Sequence, residues 1–248
     1  MRASLQLRAT LLSVLLLLGL LAIWHVATWR STGALPSANL SAEQLEYAKL
    51  MGKAVGAQKN DGFPTLGQMG QTIWGHLTNP FYDNGPNDKG IAIQLAHSLM
   101  RVALGFGLAC LVAVPLGFAI GMSPLLWKAL DPYIQILKPI SPLAWMPLAL
   151  YTIKDSAISG IFVIFICSVW PMLVNTAFGM RISMGIAWLV IVAAEMLVGG
   201  TGIGYFVWNE WNNLSLTNVI FAILLIGVVG MALDQCFARL QKAVTYVE

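Results

Sequence analysis

Long apolar runs separated by short polar stretches dominate the pattern along this chain of 248 residues. Runs of about membrane-span length occupy residues 11–29, 91–121 and 216–240. Residues 158–197 are apolar almost without a break. One helix over that stretch is about 60 Å long, roughly twice the thickness of the hydrocarbon core. The chain must therefore reverse inside it, and the pattern predicts an abbreviated connection near residues 175–183.

The middle of the chain alternates shorter apolar and polar segments. Residues 122–139 contain Lys128, Asp131 and Lys138, which indicates a cytoplasmic or interfacial turn. Residues 140–153 form a short apolar run broken by prolines, and the pattern predicts a short span there.

Composition strengthens the membrane interpretation, because 58% of the residues are hydrophobic and only 10% are charged. A soluble domain usually has about a quarter of charged residues. Only helices and closed barrels satisfy the backbone in lipid, and these runs are too long for barrel strands. The sequence therefore predicts an all-α, polytopic helical membrane protein of about six spans.

The basic residues predict an orientation with both termini in the cytoplasm. Placing the N-terminus inside leaves Lys154 as the one basic residue of the short outer turns. The predicted inner segments hold seven basic residues: Arg2, Arg8, Lys128, Lys138, Arg181, Arg239 and Lys242. The three cysteines all lie in apolar runs, which favours buried thiols over a disulfide framework or a metal site.

Several stretches resemble one known family. They are "NPFYDNGPNDKG", "SLMRVALGFGLA", "LLWKALDPYIQILKPISPLAWMPLAL", "FVIFICSVWPMLVNTAFG" and "RISMGIAWLVIVAAEMLVGGTGIGYFVWNEWN". Together they resemble the permease subunits of bacterial ATP-binding-cassette importers, in the nitrate, bicarbonate, taurine and alkanesulfonate group, with the nitrate branch most similar. "PLAWMPLAL" and "RISMGIAWLVIVAAEML" are the most specific stretches.

The resemblance implies a type I importer permease in the bacterial inner membrane that moves nitrate or a related small oxyanion, such as nitrite, cyanate, bicarbonate or a sulfonate. Implied partners are a second permease subunit in a homodimer, ABC ATPase subunits, a periplasmic or lipid-anchored binding protein and membrane lipid, with no nucleic acid. Residues 1–30 are then an N-terminal span, 31–90 a periplasmic amphipathic region, and 91–248 a permease core with about five spans.

No enzymatic activity is expected of this chain, and no cofactor is expected to bind it. The sequence has no phosphate-binding loop ending in Gly-Lys-Ser/Thr, and "GGTGIG" at residues 199–204 follows no strand. ATP hydrolysis is therefore expected on a separate ATPase chain. No catalytic constellation and no metal site are predicted.

The chain departs from the family at one place. Members carry a cytoplasmic loop of a few dozen residues between "NTAFG" and "RISMG", including the helix that couples to the ATPase. Here only Met180 separates Gly179 from Arg181, so the expected coupling loop is absent. Two other classes therefore stay open: a non-transporting or uncoupled remnant or scaffold, and a passive channel whose flux needs no ATP.

Polar residues inside the spans are the candidates for the translocation path, since burying a charge in lipid is costly unless it is paired or solvated. Arg101 is the leading candidate for an anion contact, with a structural ion pair as the alternative. Structural pairing is favoured for Glu195. Asn175 and Thr176 are candidate neutral donors, and Asp234 is expected to pair with Arg239. Close helix packing is expected at four glycines: Gly105, Gly107, Gly117 and Gly121.

Overall fold

The computed structural model describes residues 2–29, 63–174 and 176–244 of the chain. In these ranges the regular structure is helical, apart from one antiparallel bridge between Asp83 and Lys89. The helices are α1 Arg2–Trp29, α2 Leu66–Thr78, α3 Ile91–Met122, α4 Pro124–Leu137, α5 Pro142–Ile153, α6 Ser156–Val174, α7 Thr176–Val198, α8 Ile203–Asn212 and α9 Leu216–Val244.

The prediction of an all-α chain with about six spans is confirmed in class, and the described residues hold five or six candidate spans. Five segments in the described ranges are long and apolar enough to cross a membrane: Leu7–Thr28, Ile91–Met122, Ser156–Val174, Gly179–Val198 and Leu216–Lys242. Helices α4 and α5 pass the same test together, with a bend of 92° between them, and raise the number to six if they form one broken span.

The chain divides into two compact units, Met1–Trp74 and Gly75–Glu248. In the first unit, the Trp24 indole Nε1 donates a hydrogen bond to the Pro64 carbonyl at 2.8 Å, and its ring lies 5.3 Å from that of Phe63. These contacts tie the end of α1 to the segment before α2. The amphipathic helix predicted from residue 41 onward lies outside the described residues.

The second unit is built around α3, α6 and α7. Gly105 on α3 allows a close approach to α6, because a β-carbon there would lie 2.7 Å from the Ile164 β-carbon and 2.8 Å from the Ile161 carbonyl oxygen. The packing expected at the glycines of this helix holds at Gly105. It is wrong for Gly107 and Gly121, where a β-carbon would meet nothing within 4 Å.

Helices α6 and α7 form an antiparallel hairpin. The Ser183 hydroxyl on α7 donates to the Ser168 carbonyl on α6 at 2.8 Å. Near the turn, a β-carbon on Gly179 would overlap the Pro171 carbonyl, so only glycine permits this approach. Helix α7 begins at Thr176, and the connection is therefore shorter than the predicted segment 175–183. No room is left in it for a coupling loop.

An ion pair joins α7 to α9. The Arg181 guanidinium donates to the Asp234 carboxylate from Nε at 2.7 Å and from Nη2 at 2.6 Å. The predicted pairing of Asp234 with Arg239 is wrong. The Asp234 carboxylate on α9 points toward α7 and pairs with Arg181 instead. Both side chains of the pair are well exposed, 39% for Arg181 and 49% for Asp234.

The turn predicted over residues 122–139 is also wrong, since α4 occupies most of it. Ser123 caps this helix by accepting a hydrogen bond from the Leu126 amide at 3.4 Å, and Pro124 stands at its start. Both are common signals for the start of a helix. They outweigh the polar residues that suggested a turn.

Candidate functional site

The two charged candidates of the translocation path lie together in a buried polar cluster. Arg101 projects from α3 and Glu195 from α7, and the guanidinium Nη1 donates to the carboxylate Oε1 at 2.8 Å. Glu195 is 3% exposed and Arg101 is 17% exposed. Because two charges in an apolar bundle are costly alone, their pairing is what allows either one to be buried.

Two further residues of α3 complete the cluster. Ser98 lies one turn before Arg101, and its hydroxyl donates to the Glu195 carboxylate at 2.7 Å. Gln94 lies one turn earlier again, and its side-chain oxygen accepts from the Gly202 amide at 2.6 Å. Gln94, Ser98 and Arg101 are thus spaced i, i+4 and i+7 along one face of the helix, which faces α7 and the turn that follows it.

The turn between α7 and α8, residues 199–204, is held to this cluster through its backbone. The Thr201 carbonyl accepts from Arg101 Nη1 at 2.7 Å. The Ile203 amide donates to the Ser98 hydroxyl at 2.8 Å, and the Gly204 amide donates to Glu195 Oε2 at 3.1 Å. The first amides of α8, which have no partner within the helix, therefore find one in buried side chains of α3 and α7.

Backbone conformation or close packing explains each glycine of "GGTGIG". Gly199 and Gly200 adopt φ values of +79° and +95°, which side chains with a β-carbon rarely adopt. A β-carbon on Gly202 would overlap the Glu195 carboxylate, and one on Gly204 would overlap the Val192 carbonyl. The motif brings backbone against a carboxylate, which is the opposite of what a phosphate-binding loop requires.

We call the ion pair between Arg101 and Glu195 the clamp, because it joins α3 to α7. Its single positive charge is balanced by a carboxylate 2.8 Å away, so the net field that it presents to an anion is small. This is the geometry of the structural alternative for Arg101, whereas an anion contact at Arg101 stays a prediction. The other candidate donors are not described: Asn175 lies outside the described residues, and so does the side chain of Thr176.

Residues 79–90 rest on α8 at the same end of the unit. The Tyr205 hydroxyl donates to the Asn87 side-chain oxygen at 2.7 Å. Lys89 donates to Asp83 at 3.1 Å, and this hydrogen bond lowers the pKa of the Asp83 carboxyl. Burial and the Asp88 carboxylate raise the pKa of Tyr82 to about 12. The clamp therefore positions α8, and α8 carries this loop.

A cavity lies beside the α6–α7 turn, toward the α4–α5 connection. We call this volume of about 610 Å³ the hairpin cavity. Its lining is mostly apolar and includes Lys138, Ser141, Trp145, Cys167, Trp170 and Gly179. In the described part of the chain, no three His, Cys, Asp or Glu side chains lie close enough to hold a metal ion.

Comparisons with known proteins find permeases. The chain is 37% identical over 228 residues to the nitrate import permease protein NrtB of Synechocystis sp., which covers 77% of this chain and 83% of that protein. It is 38% identical over 205 residues to NrtB of Leptolyngbya laminosa, with coverages of 67% and 74%. It is 39% identical over 207 residues to the bicarbonate transport system permease protein CmpB of Synechocystis sp., with coverages of 68% and 74%. No family model matches the chain.

The coverages show that, within the aligned region, this chain has fewer residues than its relatives. We call this difference the deficit. The alignment with the Synechocystis nitrate permease spans 228 positions, whereas 77% of the 248-residue chain is about 191 residues. About 37 aligned positions, the difference between 228 and 191, therefore have no residue from this chain. For the bicarbonate permease, the difference between 207 positions and 68% of the chain, about 169 residues, is about 38. The deficit matches in size the loop expected between Gly179 and Arg181.

Proposed function

The chain belongs to the permease subunits of ATP-binding-cassette importers, and on that premise we propose that it forms the membrane path for nitrate or a related small oxyanion. The observation that carries the proposal is the identity of 36–39% to nitrate and bicarbonate permeases over most of the chain. In this proposal no enzymatic activity resides in the chain, and a separate ATPase supplies the energy.

The proposed assembly has the bacterial inner membrane as its location and both termini in the cytoplasm. The seven-to-one distribution of basic residues supports this orientation. A second copy of the chain completes the path, ABC ATPases bind on the inner side, and a binding protein delivers the anion outside. With this orientation the clamp of Arg101 and Glu195 lies toward the outer side, and the hairpin cavity lies toward the inner side.

One observation favours a second candidate, in which the chain as it stands is an uncoupled subunit. About 37 positions of the relatives are missing, and the tight α6–α7 hairpin occupies the place where the coupling loop is expected. In this second candidate, the contact that such a loop is expected to make with the ATPase is missing. In this candidate the chain keeps the path through the membrane but lacks the coupling of transport to ATP hydrolysis.

A loop insertion separates the two candidates. The chain is expressed with the ATPases and binding protein of the matching nitrate importer in a strain that lacks its own permease. A second version carries, between Gly179 and Arg181, the segment of the Synechocystis nitrate permease that has no counterpart here. We expect the insertion to raise ATP-dependent uptake of isotopically labelled nitrate at least about tenfold, since it restores a contact while leaving the path unchanged.

The controls decide what each outcome means. An ATPase with an inactivated nucleotide site must abolish the uptake, because flux that persists indicates a passive channel. Equal ATP-dependent uptake by both versions rules out the uncoupled candidate and leaves the permease proposal intact. No uptake by either version, with normal insertion into the membrane, contradicts the permease proposal and favours a scaffold.

A further inference from the structure

The hairpin cavity begins at one end of two spans and runs toward their middle. Its walls come from α6, from α7 and from the α4–α5 connection with the start of α5, and its volume is about 610 Å³. The α6–α7 turn joins the candidate spans Ser156–Val174 and Gly179–Val198, so this turn lies at a membrane surface. The cavity therefore starts at that surface, whichever side of the membrane the turn faces.

The wall that α7 contributes gives the depth of the cavity. Its lining residues are Gly179, Ile182, Ile186 and Leu189, which follow one face of the helix. At a rise of about 1.5 Å per residue, the stretch from Gly179 to Leu189 spans about 15 Å. The hydrocarbon core is about 30 Å thick, so this wall is as long as the hydrocarbon part of one leaflet.

Large apolar side chains of the lining are left uncovered by the protein. Val174 is 46% exposed, Ile182 is 44% exposed and Leu189 is 65% exposed. Apolar walls offer water no hydrogen-bond partners, so they favour hydrocarbon as the occupant.

The one charged side chain of the described lining, Lys138, lies toward the turn end. Met146 and Ser156 line a small second cavity together with Glu195, so α5 leads away from the α6–α7 turn. Lys138 precedes α5 and is exposed. A basic residue between spans at a membrane surface commonly contacts the phosphate of a lipid headgroup.

We propose that the hairpin cavity holds one acyl chain of a phospholipid from the adjacent leaflet, with the headgroup on the side of Lys138. Recognition rests on the chain, because the apolar wall matches one leaflet in length, and the exposed cation sets the direction in which the lipid lies. This inference goes beyond the proposed function, since a bound lipid requires neither the transported anion nor the ATPase.

Lipid binding by the purified chain tests the site. The full chain is extracted in detergent, stripped of exchangeable lipid and titrated with dioleoyl phosphatidylglycerol, while native mass spectrometry counts the lipids bound. We expect one tightly bound lipid per chain. Leu189→Trp is expected to weaken its binding at least about tenfold, since the indole occupies space that the acyl chain needs. Leu197→Trp is the matched control and should leave binding unchanged, because Leu197 lies on the same helix, outside the lining, and is 60% exposed.

Two further measurements separate the acyl chain from the headgroup. Lys138→Gln is expected to weaken lipid binding by about fivefold, whereas Lys128→Gln, exposed on α4 and outside the lining, should leave it unchanged. Glycerol 3-phosphate carries the phosphate without a chain, and we expect it not to displace the lipid. Displacement by this compound would place recognition in the phosphate alone and overturn the proposal.

Equal lipid affinities of Leu189→Trp and Leu197→Trp would also overturn the proposal. If Leu189→Trp instead changes the mass of the protein assembly while lipid binding persists, a second copy of the chain covers the cavity and the lipid site is wrong. Circular dichroism checks that each variant is folded. Should Leu189→Trp fail to fold, Ile182→Trp places the same bulk nearer the turn and is judged by the same outcomes.

Discussion

Replacing Glu195 with alanine is expected to destabilise the protein by about 3–5 kcal/mol, the loss typical of removing one partner from a buried ion pair. The substitution leaves the Arg101 guanidinium in an apolar bundle without its carboxylate. It also removes the acceptor of the Ser98 hydroxyl and of the Gly204 amide. Denaturant unfolding in detergent, followed by circular dichroism, measures the loss.

The chain offers a matched control in its exposed ion pair. Asp234→Ala also removes a carboxylate from an arginine, but Asp234 is 49% exposed and water solvates the arginine that remains. Its cost should not exceed about 1 kcal/mol. Losses of equal size for the two substitutions would show that burial of the Glu195 pair contributes nothing to stability.

A double substitution separates the effect of charge from that of packing. Arg101→Leu together with Glu195→Leu removes both charges and leaves neither of them unpaired. Because a buried pair is often replaceable by apolar side chains at small cost, the double variant should be more stable than Glu195→Ala alone. A double variant that is less stable would place the importance of the clamp in its hydrogen bonds to the turn.

Replacing Gly204 with alanine is expected to destabilise the protein by about 3 kcal/mol or more, at the upper end of overpacking effects. The added β-carbon would overlap the Val192 carbonyl oxygen, which belongs to the backbone of α7 and cannot rotate away. Helix α8 must then separate from α7, and the hydrogen bond from the Gly204 amide to Glu195 is lost with it.

The control is the same substitution on α7 at Gly185, where a β-carbon would meet nothing within 4 Å. Alanine is the better helix former by up to about 1 kcal/mol, so Gly185→Ala should stabilise the protein or leave it unchanged. Thermal unfolding of the two variants in one detergent is sufficient for the comparison. Destabilisation by both, to the same extent, would contradict the close approach at Gly204.

The long helices could be predicted from the sequence because lipid permits few alternatives. An apolar run of span length must become a helix, and the runs that begin at Ile91 and Leu216 did so within a few residues. Helices α4 and α8 were missed for the opposite reason. Both mix aromatic, polar and apolar residues, and their ends depend on local caps and on tertiary contacts rather than on a long pattern.

The clamp could be predicted only in part. Arg101 and Glu195 are conspicuous as charges within apolar runs, but 94 residues separate them and no local pattern pairs them. Gln94 and Ser98 were missed, although their spacing with Arg101 marks one polar face on an apolar helix. That face was the available signal.

The bent pair of α4 and α5 decides the topology and, with it, the proposed function. If the pair crosses the membrane, the described spans number six and both termini lie on one side. The α6–α7 turn then faces the ATPase side, together with the hairpin cavity. If the pair does not cross, five spans remain, the termini lie on opposite sides, and this turn faces outward.

Labelling of single cysteines from each side of the membrane tests this point most directly. Ser4→Cys, Lys154→Cys and Val247→Cys are made separately in a chain without its three native cysteines, and each is exposed to an impermeant maleimide. We expect Lys154→Cys to react in intact spheroplasts, and Ser4→Cys and Val247→Cys to react only in inside-out vesicles. Reaction of Val247→Cys in intact spheroplasts would mean an odd number of spans and would contradict the proposed permease topology.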